Sequence, residues 1–349
     1  AYSLPGSVFR AWGGSLSDRY GARAILRWTF GVSAAATLLL AGCSGSAEPE
    51  SSATPEETAG ATSCLADLAS GAGSDAVTVE GTDGDAKVTV PAGTEITEPE
   101  RSVITEGDGD EVLPGDLVSL RYQLVDATTN EVLSSSERGP DGILSALLAS
   151  QQQQISDPTQ STVFTVAAEC LPVGSSVVLT LPASQEGLNP SVLYVQTIEK
   201  LPTIASGTDV EPEAGMPTVE LDADGAPTIT LPDGDAPAET KVAVLKQGDG
   251  ATVAEGDLVT VQYRGIKWSD GEEFDSSWSR GAAPAQFPTT GVVTGFKKAL
   301  EGQKVGSQVI VTMPPSEAYG ASEGNELQNE SLVFVVDILA TTPPEQVQQ

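Results

Sequence analysis

The stretch V-T-V-Q-Y-R-G-I-K-W-S-D-G-E-E-F-D-S-S, Val259 to Ser277, decides how the chain folds. Val259, Val261 and Tyr263 alternate with Thr260, Gln262 and Arg264, which predicts a strand with two unlike faces. Ser269-Asp270-Gly271 is a turn signal. The returning segment sets Phe274 beside Asp275, with Arg280 five residues further on. A Tyr, a Phe and an Asp from two paired strands can line one concave, mostly apolar surface, which suits binding better than acid–base chemistry.

Working outward, Gly256-Asp257 precedes the strand, and Gly291-Val292-Val293-Thr294-Gly295-Phe296 opens a short helix. Glu301-Gly302-Gln303-Lys304-Val305-Gly306 leads into a strand over Val309–Met313, followed by Pro314-Pro315-Ser316-Glu317-Ala318-Tyr319-Gly320 and by Ser331-Leu332-Val333-Phe334. In order and spacing, these six pieces resemble the FKBP family of peptidyl-prolyl cis–trans isomerases over about a hundred residues. The resemblance implies a twisted antiparallel sheet wrapped around a short helix. It makes Phe296 the floor under a prolyl ring and Tyr263, Phe274, Val293 and Phe334 its walls, with Val292 in the same motif. The Val293 N–H and the Tyr319 hydroxyl would bind substrate carbonyls. Asp275 would sit at the rim, held by Tyr263 and Arg280. The implied ligands are proline-containing polypeptides and macrolides of the FK506 type, with no cofactor.

This chain departs from the family pattern. The floor is usually Trp, and here it is Phe296. A wall aromatic expected near Pro284 is replaced by Ala285, with Phe287 close by. Gly291 stands where Glu or Gln is usual, and Leu327 is the one apolar candidate in the acidic loop after Tyr319. Residue by residue, a plainer reading stays open. Tyr263, Phe274 and Phe334 fit core packing, Asp275–Arg280 fits a structural ion pair, and Gly291 and Gly295 fit turns.

Pattern alone predicts strands at 242–246, 258–264, 272–276, 307–313 and 332–339. The last is apolar on both faces and should be central. A helix fits Phe296–Glu301, capped by Thr294, ended by Gly302, with Phe296 and Leu300 on one face. Antiparallel strands with one helix make an α+β domain.

The pattern occurs twice. Glu106-Gly107-Asp108-Gly109, Gly115-Asp116-Leu117-Val118 and Tyr122 each lie 141 residues before Gln247-Gly248-Asp249-Gly250, Gly256-Asp257-Leu258-Val259 and Tyr263. Val173-Gly174-Ser175 corresponds to Val305-Gly306-Ser307, and Val192–Val195 to Leu332–Val335. Asp83-Gly84 before Thr89-Val90-Pro91 echoes Asp224-Gly225 before Thr230-Leu231-Pro232, each reading as two short strands about a turn. The period is too long for a solenoid and indicates domain duplication. The predicted order is a domain over 75–201, a linker over 202–215, a domain over 216–342 with its core at 241–342, and a tail at 343–349. In the first domain Leu133 replaces Phe274, Ser134 replaces Asp275, Ile143–Ala149 reads as a helix-like run before four Gln, and the Tyr319 loop shrinks to Ala183–Pro190 with no Tyr. It reads as a degenerate FKBP-like domain, a spacer or binding platform, the alternative being a catalytic domain with divergent residues.

The 349 residues contain no His, which removes His-based triads and imidazole metal sites. With 17 basic and 49 acidic residues the net charge is −32, a surface that repels nucleic acid. Arg23 and Arg27 precede an apolar run, Trp28–Ala41, too short for a membrane span and right for a signal-peptide core. Its end, Leu40-Ala41-Gly42-Cys43, resembles the lipobox of bacterial lipoproteins. That implies a signal region over 1–42, cleavage before Cys43, acylation there and a membrane anchor. An ordinary signal peptide with an incidental cysteine is the alternative. Gly14–Arg23 resembles a cytoplasmic-loop motif of major facilitator transporters; one short run makes no transporter, and residues 1–27 are set apart on that account. Residues 43–74 read as a flexible stalk, polar and poor in apolar residues. Cys64 and Cys170 read either as one disulfide in an oxidising compartment or as two buried thiols.

The expected function is a lipid-anchored, extracytoplasmic prolyl isomerase that assists folding of exported proteins. The alternative is a non-catalytic chaperone or protein-binding module of the same fold.

Overall fold

The computed structural model describes residues 64–65, 68–81, 85–138, 140–149, 160–183, 188–211 and 213–344. The expectations for residues 1–42, for Cys43 and the stalk up to residue 63, and for residues 345–349 lie outside the described residues.

The first group of strands is β1 (Thr78–Glu80), β2 (Lys87–Thr89), β3 (Arg101–Thr105), β4 (Leu117–Asp126), β5 (Val132–Ser135), β6 (Leu144–Leu147), β7 (Ser176–Leu181) and β8 (Ser191–Lys200). The second is β9 (Thr208–Asp209), β10 (Thr218–Leu221), β11 (Pro227–Thr230), β12 (Lys241–Gln247), β13 (Leu258–Lys267), β14 (Glu273–Ser276), β15 (Ala285–Pro288), β16 (Gln308–Met313) and β17 (Leu332–Thr342). Helices are α1 (Ala72–Asp75), α2 (Gln160–Ala168) and α3 (Thr294–Leu300). One antiparallel sheet runs β3-β7-β8-β4-β5, with β6 also on β4; the other runs β12-β16-β17-β13-β14, with β15 also on β13. Each therefore has the same strand order, and β9 adds one strand beside β12.

Each sheet carries a layer on both faces. On the inner face of the second, α3 buries Gly295, Phe296, Ala299 and Leu300 against Val259, Val261, Val309 and Val311. On the outer face, the β10–β11 hairpin sets Val219, Ile229 and Leu231 over Ile266, Ile310, Val333 and Val335. The first sheet repeats this with α2 inside and β1–β2 outside. β17, covered on both faces, is buried along nearly its whole length, as its unbroken apolar run requires.

Two expectations need correction. Ile143–Ala149 is not helical: Leu144–Leu147 is strand β6, paired with Leu117–Leu120, because burial alternates along it. The first sheet's helix lies beyond the glutamines, at Gln160–Ala168. Thr294 is the first residue of α3 and caps nothing; the cap position is Val293. The 202–215 linker is docked at several points: β9 pairs with Lys246 and Gln247, Gly207 N–H donates to Gly306 O at 2.9 Å, and Ala205 N–H donates to Asp337 Oδ2 at 2.8 Å.

The end of the predicted stalk is also fastened. Cys64 is disulfide-bonded to Cys170 with Cα atoms 6.0 Å apart, and Leu65 N–H donates to Glu169 Oε2 at 2.7 Å. Cys170 has φ +55° just past α2, and Gly302 has φ +82° just past α3, so both helices end on a left-handed residue.

Two outcomes follow from this packing. Ile229→Asp puts a charge in the outer seam and is expected to lower the melting temperature by several degrees in calorimetry, at roughly 2–4 °C per kcal/mol; an unshifted transition shows that the hairpin adds no stability. Cys64→Ala opens a loop spanning 106 residues and should cost about 2–5 kcal/mol in denaturant titration. Unfolding that is identical with and without the bridge contradicts this.

Candidate active site

β13 and β14 meet antiparallel, with Gly265 opposite Asp275 and Arg264 opposite Ser276. That register points Tyr263 and Asp275 to the inner face, where the Tyr263 hydroxyl donates to Asp275 Oδ2 at 2.8 Å. Arg280, from the turn after β14, forms an ion pair with the other Asp275 oxygen. Its second guanidinium nitrogen donates to the Tyr263 hydroxyl at 2.8 Å, and the guanidinium lies 5.4 Å from the centre of the Tyr263 ring. Burial, then the Asp275 charge, pushes the Tyr263 hydroxyl well above the usual phenol range, so it stays a donor. Burial pulls the Arg280 pKa down, but its bonds to Tyr263 and Asp275 outweigh that and raise it. Both groups hold their hydrogens, and the buried carboxylate is matched by a cation and a hydroxyl.

The apolar part is a set of edge-on rings. Phe296 on α3 lies 5.1 Å from Phe334, 6.1 Å from Tyr263 and 6.2 Å from Phe287 between ring centres. Phe274 meets Phe334 at 5.3 Å, nearly perpendicular. Tyr263, Phe296, Phe334, Tyr319 and Leu327 are buried, while Phe274, Phe287, Val292 and Val293 are half-buried against them. A buried floor of rings thus has a partly exposed apolar border. All nine residues singled out in the sequence, Tyr263, Phe274, Asp275, Arg280, Val292, Val293, Phe296, Tyr319 and Phe334, fall in this one cluster or hydrogen-bond to it.

Close packing here depends on a missing side chain. A Cβ on Gly265 would lie 2.7 Å from the Phe334 ring and 2.8 Å from the Phe274 ring. In the first sheet Leu124 holds the corresponding place, opposite Ser134 and Leu193. The leucine fills space that two phenyl rings occupy in the second sheet, and Leu133 there is 54% exposed. What the first sheet keeps is the Tyr122–Phe164 edge contact at 5.0 Å and a Tyr122 hydroxyl bonded to Ser134 Oγ at 2.9 Å. It therefore has the ring pair but no carboxylate at that position.

Phe287 was not singled out as a site residue. It lies on β15, whose signal in the sequence was only the three-residue alternation Ala285-Gln286-Phe287 between Pro284 and Pro288. Also unforeseen is the buried polar set behind Arg280. Ser277 Oγ accepts from Tyr263 N–H at 2.8 Å and donates to Gln262 Oε1, and Gln262 Nε2 donates to Ala282 O at 2.6 Å. These bonds fix the turn on which Arg280 stands.

Residues 250–339 match a family profile described as FKBP-type peptidyl-prolyl cis-trans isomerase. A probable FK506-binding protein of Corynebacterium glutamicum is 40% identical over 115 residues, covering 33% of this chain and 97% of that protein. An FK506-binding protein of Streptomyces anulatus is 37% identical over 119 residues, covering 33% of this chain and 95% of its own length. An FKBP-type 22 kDa peptidyl-prolyl cis-trans isomerase of Escherichia coli is 45% identical over 98 residues, covering 28% of this chain and 47% of that protein.

Gly265→Ala is expected to force the Phe274 and Phe334 rings apart and to destabilise the chain by about 1–3 kcal/mol. Chemical denaturation with aromatic-region NMR measures both effects; unchanged ring shifts and stability would show that the site has room to spare.

Proposed function

The chain belongs to the FKBP-type peptidyl-prolyl cis-trans isomerases, and from that membership we propose that residues 216–342, with their core at 241–342, are its catalytic domain. Catalysis takes place in the apolar hollow bordered by Phe274, Phe287, Val292 and Val293. The observation that carries this is the Tyr263–Asp275–Arg280 set at the edge of four edge-on phenylalanine rings. Rotation about an X-Pro bond must lose amide resonance, a barrier of about 18–20 kcal/mol. The planar amide is the more dipolar form, so moving it from water to an apolar surface narrows the gap to the twisted form. Phe296 and its neighbours take the prolyl ring. Val293 N–H and the Tyr319 hydroxyl hold carbonyls of the bound segment. Asp275, fixed and charge-balanced, lies beside the carbonyl that turns. No covalent step is required, and binding that favours the twisted amide over the planar one lowers the barrier.

Residues 75–201 form a second FKBP-like domain in tandem, degenerate at Leu133, Ser134 and Leu124, and 202–215 joins the two. We infer that this chain acts outside the cytoplasm on proline-containing stretches of exported proteins, anchored through an acylated Cys43 that follows the signal region. Macrolides of the FK506 type would enter the same hollow. The Cys64–Cys170 bridge supports an oxidising compartment. A second reading, a holding chaperone, is favoured by the first sheet alone, which retains a Tyr–Phe pair without the carboxylate.

NMR exchange on an X-Pro tetrapeptide with the full chain tests the proposal. Asp275→Ala and Tyr319→Phe are expected to lower kcat/KM by about ten-fold or more, at roughly 1.4 kcal/mol per decade, while Ser134→Ala leaves it unchanged. Exchange no faster than in buffer, from folded protein, overturns the catalytic reading.

A further inference from the structure

Tyr319 stands on a turn whose backbone bonds close on itself. After β16 ends at Met313, Glu317 N–H donates to Pro314 O at 3.0 Å, Ala318 N–H to Pro315 O at 3.1 Å, and Gly320 N–H to Pro315 O at 2.7 Å. A Cβ at Gly320 would lie 2.5 Å from that same oxygen, so only glycine closes the loop this tightly. The turn is compact, but these bonds do not fix where it sits relative to the helix that carries Phe296.

Packing of Tyr319 and Ala318 in the Phe296 cluster is one link, and a single polar side chain supplies another. The Glu317 carboxylate accepts Lys298 Nζ at 2.8 Å on one oxygen and 2.6 Å on the other. It also accepts the Thr240 hydroxyl, just ahead of β12, at 2.6 Å. Lys298 lies two residues beyond Phe296 on α3. Its neighbour Lys297 turns elsewhere, to Glu255 at 2.8 Å and Glu301 at 3.5 Å. Thus the two adjacent lysines of α3, which look in sequence like a solvated helix face, tie two different loops to the helix. Lys298, with Thr240, holds the Glu317 carboxyl below the usual carboxylate range, so it is charged at neutral pH.

We propose that Glu317 is a positioning residue for the isomerase reaction: its carboxylate clamps the Tyr319 turn to α3 and to the entry of β12, setting the distance between the Tyr319 hydroxyl and the Phe296 floor. This rests on the assignment of Tyr319 as a substrate contact. The repeat offers a natural comparison. Val166 stands in the place of Lys298, and the shortened loop Ala183–Pro190 has no tyrosine. An exposed ion pair of this kind adds little to stability. Its effect is on placement, where a displacement of about 1 Å can cost orders of magnitude in rate.

The test uses the full chain with Glu317→Gln, Lys298→Gln and the double variant. Hydrogen exchange at the Gly320 amide reports the turn, and NMR exchange on an X-Pro tetrapeptide reports turnover. Each single variant is expected to speed Gly320 exchange by about ten-fold and to lower kcat/KM by roughly three- to ten-fold, mainly through KM, with the melting temperature unchanged. The double variant should be no worse than either single one, because both break the same link. Unchanged kcat/KM in Glu317→Gln, or losses that add in the double variant, overturn the proposal. Absent turnover by the unaltered chain, with Gly320 exchange still faster in Glu317→Gln, counts against the isomerase assignment and leaves the clamp itself standing.

Discussion

Two phenyl rings share the space above one bare α-carbon, and much of the second sheet follows from that. Phe274 and Phe334 meet edge to face over Gly265 on the central pair β13–β17. No side chain larger than hydrogen fits between them. The glycine therefore lets an edge strand and a central strand both present aromatic rings to α3. Gly295 does the same from the helix side, where a Cβ would lie 2.7 Å from Met313. Two glycines thus bring a helix and a sheet close enough for Phe296 to touch Phe334, Phe287 and Tyr263. In the first sheet both openings are closed, by Leu124 and Val163; Leu133 stands where Phe274 does, and strand pairing puts Leu193, one residue before the position the sequence correspondence gives, where Phe334 does. Ring loss and gap loss go together because an empty slot would cost packing energy.

The polar part obeys a different constraint. A buried carboxylate must have partners, and Asp275 takes one from the strand and one from the following turn. The turn is in turn fixed by Ser277 and Gln262, which are buried and bonded to each other and to backbone. Arg280 is the exposed end of this chain of contacts, so the charge balance of the set reaches solvent while its geometry is set from below.

Much of this was legible in the sequence, and the misses have physical causes. The alternation in Val259–Arg264 and the apolar run Leu332–Leu339 gave strands because burial enforces period two, or none where both faces are covered. The nine residues that gather around the rings could be named together because the family resemblance is carried by short motifs in a fixed order along the chain. β15 was missed because two prolines bracket it, and an edge strand tolerates a proline that a central one does not. The Leu144–Leu147 strand was misread because a short apolar run has no period of its own; only the partner across it, Leu117–Leu120, decides. The clamp at Glu317 joins residues 19 and 77 positions apart, and no local pattern records such a pairing.

The docked segment between the sheets shows the same limit most clearly. Pro202 to Gly215 has the composition of a tether, yet Ala205 N–H reaches Asp337, which is 1% exposed on β17. Burial raises the Asp337 carboxyl above the usual range, against the bonds it accepts from Ala205 and from Gln308 Nε2 at 2.7 Å. A carboxylate in so dry a place is tolerated only with donors supplied, and one of the two comes from the tether. The tether is thereby held against the sheet by a group that needs it as much as the tether needs the sheet. Further along β17, Leu339 and Ala340 pack with Leu117, Leu147 and Leu201, and the Thr342 hydroxyl donates to Ser145 O at 3.3 Å. The strand at the centre of the second sheet, in its last turn of register, is also where the first sheet touches it. A change in β17 is therefore felt at Phe334 in the ring cluster, at Asp337 under the tether and at Ala340 in the seam, all on one continuous strand.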